Sequence, residues 1–228
     1  GIYHYNFAKP ETICRVAASF RPSERDRSYF LQLEACNTAA EATAAAAPIL
    51  ESRLHTPLEI QILGSLSVRR RGETAEACPS ARAAQLLRIL ALYPEPVSIH
   101  KLLGEIWPDW EEKAAMNSFY FTLYQLRAYL GEKNAVVYKR GLCGLDRELV
   151  TVDAALFQEF CRQARQYLAA GNLYAAGRYF AQAAGLVRGE VLDGDDLPEN
   201  ALIQRESLER FVFTALRDYG TVCMRQHR

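Results

Sequence analysis

The sequence carries no surplus charge: Lys plus Arg and Asp plus Glu each number 27, for a net charge of zero. A chain so balanced has no global attraction for polyanions, and any basic surface must be local. Residues 58–150 alone hold twelve basic and eleven acidic side chains, a net of +1. Cysteines are few and scattered, at positions 14, 36, 78, 143, 161 and 223, with no CxxC pair. They read as reduced packing residues rather than a disulfide framework. His4, His55, His100 and His227 are as dispersed, so no metal-ligand spacing emerges. No apolar run approaches the roughly 20 residues that span a bilayer, and no charged-then-apolar leader opens the chain. The expectation is a cytoplasmic protein with no membrane partner. Phosphate-loop, dinucleotide, zinc-protease and nucleophile-elbow signatures are all missing. The acidic run Asp193, Asp195, Asp196 lacks the spaced ligands and closing Glu of a calcium loop, and reads as solvated. A non-enzyme with no cofactor and no metal is expected.

What is present suits two compact domains or one large one: 228 residues, 50% apolar and 24% charged. The opening Gly1-Ile2-Tyr3, without Met, reads as the middle of a longer protein. Residues 1–57 are alanine-heavy, with a helix start at Pro10-Glu11-Thr12, and form a helical upstream segment or linker. At Leu58 the texture changes. The stretch LEIQILGSLSVRRRG alternates apolar and polar residues around Gly64, the pattern of strand, turn and strand. A helix over 80–92 follows, ended by Pro94-Glu95-Pro96. Leu102, Leu103 and Ile106 mark a short helix, and a long one is expected over 111–130. Trp107 and Trp110 flank Pro108 between these two and read as packing anchors. VVYKRGLCGL is a two-strand signal. The run Val150-Thr151-Val152 is not expected to continue a sheet; it leads to Asp153, a natural N-cap for the next helix. Phe157, Phe160, Cys161, Ala164 and Leu168 share one stripe, and Gly171-Asn172 turns the chain. Leu173, Ala176, Tyr179, Phe180 and Ala183 form the partner stripe, a helix pair of about tetratricopeptide size. A last helix covers about 201–224. The fold class is mainly α with small β elements: a winged helix-turn-helix followed by a tetratricopeptide-like helical domain.

The segments LEIQILGSLSV, ARAAQLLRILALYPEPVSIHKLLGEIWPD, AAMNSFYFTLYQLRAYLG and VDAALFQEF together carry a family pattern. Its most specific pieces are Leu-Gly-x-Leu-x-Val, the Leu-x-x-x-Ile-Trp-Pro-Asp turn, and Asn117-Ser118 followed by Leu123, Leu126 and Arg127. The chain, over about 58–226, resembles the bacterial transcriptional regulators called SARPs. Those join an OmpR/PhoB-like winged helix to a helical bacterial transcriptional activation domain. The same pair of domains closes some MalT-like regulators after a helical array. The resemblance implies a winged helix at 58–149 and the activation domain at 150–228. It implies that the long helix reads DNA, and that the partners are double-stranded DNA and the transcription machinery or another regulator domain, with a homodimer allowed.

By 100° steps Phe119, Leu123, Leu126 and Leu130 share the core side of the long helix. The opposite side shows Asn117, Ser118, Phe121, Tyr124, Gln125 and Ala128. Family members commonly carry arginines near Tyr120, Gln125 and Ala128; here that surface has no cation. In one reading Asn117 and Gln125 meet adenine edges, Ser118 and Tyr124 bind phosphate oxygens, and Phe121 meets thymine methyls. In the other, the winged helix has degenerated into a protein-interaction module whose aromatic stripe is the interface core. Packing under the wing is the bland alternative for Phe121. Lys139 and Arg140 fall at the hairpin tip, where cations reach phosphate or stand as a solvated turn. Arg69-Arg70-Arg71 lies in the N-terminal hairpin and reads as solvated charge.

Overall fold

The computed structural model describes residues 58–194 and 196–226. The helices expected over 1–57 lie outside them. The described chain forms two compact units, one of residues 58–155 with 185–218, the other including 156–184 and 219–226.

The first unit opens on strands β1 (Leu58–Gln61), β2 (Ser67–Arg70) and β3 (Glu73–Thr74), which pair antiparallel in sequence. The alternation of the segment is the cause: Leu58, Ile60, Ile62 and Val68 are buried while Glu59 and Arg69 meet as an ion pair at 3.3 Å. The fourth strand, β7 (Val150–Val152), adds to β1 in parallel, with Leu58 opposite Val150 and Ile60 opposite Val152. The run at 150–152 thus does continue the sheet, against expectation. Its partner stands about 90 residues earlier in the chain, so no local pattern announces it.

Three helices follow: α1 (Ala81–Leu92), α2 (Ile99–Ile106) and α3 (Glu112–Leu130). Ser80 and Ser98 cap the first two, their hydroxyls accepting from the N–H groups of Ala83 and Lys101 at 3.3 Å. Gly131 ends α3 in the left-handed region (φ 71). Leu86, Leu87, Leu90, Leu102, Phe119, Leu123, Leu126 and Leu130 are all buried, as the helical spacing predicts. Strand β4 (Val97–Ser98), β5 (Val136–Lys139) and β6 (Leu142–Leu145) make a second sheet in the order β4-β6-β5. A Cβ on Gly144 would stand 3.1 Å from the Pro96 Cα, so a larger residue there would have to push Pro96 aside by a few tenths of an ångström. The order helix, strand, helix, helix, hairpin fits a winged-helix arrangement.

Asp153, the first residue of α4 (Asp153–Ala169), does something other than the capping expected of it. Its buried carboxylate accepts from the Ile62 N–H at 2.8 Å, the Leu63 N–H at 3.1 Å and Arg188 Nη2 at 2.5 Å. The loop after residue 185 then lies along the end of β1, through Arg188 N–H to Leu63 O at 2.8 Å and Leu192 N–H to Ile62 O at 2.9 Å.

In the second unit, the rest of α4 joins α5 (Leu173–Ala184) through Gly171 (φ 77), and Asn172 Oδ1 caps the new helix from the Ala175 N–H. Phe157, Phe160, Cys161 and Ala164 are buried, as are Ala176, Phe180 and Ala183. Tyr167 and Tyr179 stack at 5.3 Å across the turn. The last helix, α6, runs Glu199–Gln226, its residues up to 218 belonging to the first unit and those from 219 to the second. The described residues are mainly helical with two small sheets.

Candidate nucleic-acid interface

Helix α3 is held on three sides. Its core row buries Phe119, Thr122, Leu123 and Leu126. At its end the Arg127 guanidinium donates twice to the Val136 carbonyl, at 3.1 and 2.6 Å, fastening the helix to β5. Midway, Phe119 meets Tyr138 of β5 edge-on at 5.2 Å, and Tyr120 meets the same ring at 6.0 Å. The hairpin is therefore set against α3 by aromatic contacts.

What remains of α3 faces outward. Asn117 and Ala128 are exposed, and Phe121 and Tyr124 are 62% and 71% exposed. Phe121 does not pack under the wing. Ser118 and Gln125 are half-buried because both are engaged by α1. The Ser80 hydroxyl donates to Gln125 Oε1 at 2.8 Å, and Arg82 Nη1 donates to Ser118 Oγ at 3.2 Å. One lone pair of the Gln125 carbonyl oxygen is thus engaged, which fixes that amide against α1. Asn117, exposed and without a side-chain hydrogen bond among the described residues, has both its carbonyl oxygen and its amide N–H groups to offer.

Arg82 corrects the expectation that this surface has no cation. Its Cζ lies 4.5 Å from the Trp110 ring centroid and 5.5 Å from that of Trp107. Trp107 is buried, as expected of an anchor, but Trp110 is 46% exposed and serves as the guanidinium's platform. The sequence does hold a signal: an arginine in the first turn of a helix opposes the macrodipole, and α1 has no acidic residue there to offset it. Nothing in the spacing says that residue 82 reaches residue 118.

The hairpin between β5 and β6 turns on Arg140 (φ 54) and Gly141 (φ 75), two left-handed residues in a two-residue loop. That geometry matches the twist of the strands and aims the tip outward. Lys139 and Arg140 are exposed there, with no ion-pair partner among the described residues. The Gly141 carbonyl accepts from the Ile99 N–H at 2.8 Å, tying the tip to the start of α2. The N-terminal arginines differ: Arg69 pairs with Glu59, and the Arg70 guanidinium lies 5.5 Å from the Tyr129 ring. That run is partly engaged rather than simply solvated.

The Cys143 thiol, buried on β6, is pushed up to about 12 by desolvation and so stays protonated and unreactive. No group of three His, Cys, Asp or Glu side chains able to hold a metal occurs among the described residues. No described helix is long and apolar enough to cross a membrane.

No family model matches the chain, and no curated relative does. Among solved structures it is similar to EmbR of Mycobacterium tuberculosis, determined in complex with a low-affinity phosphopeptide. The TM-score is 0.54 at 21% identity, over 73% of this chain and 43% of EmbR. The likeness is one of fold, and the chain spans less than half of EmbR's length.

Proposed function

We propose that this chain is a SARP-type transcriptional regulator that binds double-stranded DNA through α3 and the β5–β6 wing. Residues 58–149 form its OmpR/PhoB-like winged helix. Residues 150–228 form a tetratricopeptide-like activation domain that meets the transcription machinery, another regulator domain or a second copy. It acts in the cytoplasm and catalyses nothing. The observation that carries the reading is the pairing of one outward row on α3 with a cationic hairpin tip beside it. Asn117, Ser118, Phe121, Tyr124 and Gln125 present amide, hydroxyl and apolar groups, the set that base edges and thymine methyls require. Lys139 and Arg140 add cations where a wing meets the backbone. The fold likeness to EmbR, a SARP-family regulator, supports the same class.

One observation favours a second reading. Phe121 and Tyr124 expose more aromatic surface than base contact needs, which suits a protein interface. Electrophoretic shift decides between them. The chain is expected to retard a random duplex at low salt, and Asn117→Ala to lose about 1–3 kcal/mol on a selected site and much less on random DNA. No retardation even at low salt sinks the DNA reading and leaves the interaction module.

A further inference from the structure

Beyond Lys113 in its first turn the outward face of α3 carries no cation, yet α1 sends one to the same place. Arg82 reaches Ser118, one residue beyond Asn117 at the outward start of α3. Its guanidinium carbon lies over the Trp110 ring at 4.5 Å and 5.5 Å from the Trp107 ring centroid, and no carboxylate pairs with it among the described residues. One of its five N–H donors is used by Ser118, which leaves four and a full positive charge. Ser118 accepts that bond, and its own O–H remains to donate.

Arrangements of this kind serve a purpose. A free arginine samples many rotamers and loses that freedom on binding; this one is already placed over a ring and bonded. It also sits where the α1 dipole disfavours a cation, a local cost that an incoming anion would offset. The donors available, a planar fork and a neighbouring hydroxyl, match the oxygens of a phosphodiester.

We propose that Arg82 and Ser118 form a phosphate-binding pair of the DNA interface, supplied by α1 and braced by Trp110. The assignment rests on the DNA reading above. It makes Arg82 a sequence-independent contact that fixes the register of α3 in the groove, while Asn117 reads the base.

The test is the salt dependence of duplex binding by the full chain, on a selected site and on random DNA. Losing one phosphate contact should flatten the slope of log affinity against log salt by about 0.9. For Arg82→Gln, the affinity deficit relative to the parent should therefore shrink about 3.5-fold between 50 and 200 mM salt, alike on both duplexes. An unchanged slope overturns the pair, and so does a loss confined to the selected site, which would mark Arg82 as a base reader. Arg82→Lys keeps the charge but loses the planar fork of donors. It should retain the slope and weaken both duplexes equally, and it carries the test if the glutamine variant does not fold. Unchanged affinity in Arg82→Lys, with the parent binding normally, overturns the proposal and leaves the DNA reading standing. A parent chain that binds no duplex at 50 mM salt overturns both.

Discussion

Arg140 occupies a backbone conformation that costs an L-residue with a Cβ about 1–2 kcal/mol. Asparagine or glycine would make the same two-residue turn with less strain. The arginine at the exposed tip (φ 54) accepts that strain, as Arg71 (φ 49) does in the N-terminal hairpin. Glu105 of α2 poses the reverse problem, a charge kept inside. Its side chain is 2% exposed, Lys101 Nζ stands 3.9 Å away, and neither carboxylate oxygen has a hydrogen-bond partner. Burial pushes its pKa up, and Lys101 and the nearby Asn200 amide bring it only partly back. A carboxyl with a raised folded-state pKa holds its proton more tightly when folded. The stability that it contributes is fully present below the ordinary Glu value of about 4.3 and is lost as pH rises through the raised value. Glu105→Gln keeps the shape and removes the charge. It should therefore melt higher than the parent at pH 8, and the gap should close as the pH falls toward 4. Equal melting at both pH values would show that Lys101 fully offsets the burial.

Elements whose burial follows a period within one segment were legible in advance; elements held by distant partners were not. The row Phe119, Leu123, Leu126 and Leu130 identifies the core side of α3 by 3.6-residue spacing alone, and Ser80 and Gly131 mark helix ends by their chemistry. Strand β7 has three residues and a parallel partner far upstream, and β4 has two; neither length can display a period. The outward row of the candidate interface was legible from the same helical period. The engagement of Gln125 and the arrival of Arg82 were not, because each depends on how α1 crosses α3. Asp153 shows what such a missed contact is worth. It satisfies two backbone N–H groups at the end of β1 and pairs with Arg188, whose side chain is 36% exposed. Removing one partner of a buried pair typically costs about 3–5 kcal/mol, and solvent around Arg188 lowers that. Asp153→Ala should lose about 2–3 kcal/mol in urea unfolding, and the amides of Ile62 and Leu63 should exchange faster with solvent. A loss under about 1 kcal/mol would mean that the loop after 185 is held by other bonds.

Across the whole molecule the balance of charge would limit how tightly one copy of the proposed regulator holds DNA. The net charge is zero, so no general field would assist, and the proposed interface sets Arg82, Lys139 and Arg140 against phosphate. Three such contacts give a salt slope of about −2.7, and about a forty-fold loss of affinity between 50 and 200 mM salt. Specific regulators commonly use six to ten phosphate contacts, so a single copy should bind weakly at cellular salt. Two copies on neighbouring half-sites would double the contact count while presenting the same face of DNA about one helical turn apart. Binding should therefore be much tighter and cooperative on a duplex with two half-sites centred about 10 base pairs apart, with a slope near −5.4. On a single half-site it should be weak, with a slope near −2.7. Fluorescence anisotropy across a salt series on both duplexes measures this directly. A slope steeper than about −5 from one copy on one half-site would mean that cations outside α1 and the wing carry the contact. Arg70 and Arg71, at the end of the N-terminal hairpin, would be the first to replace.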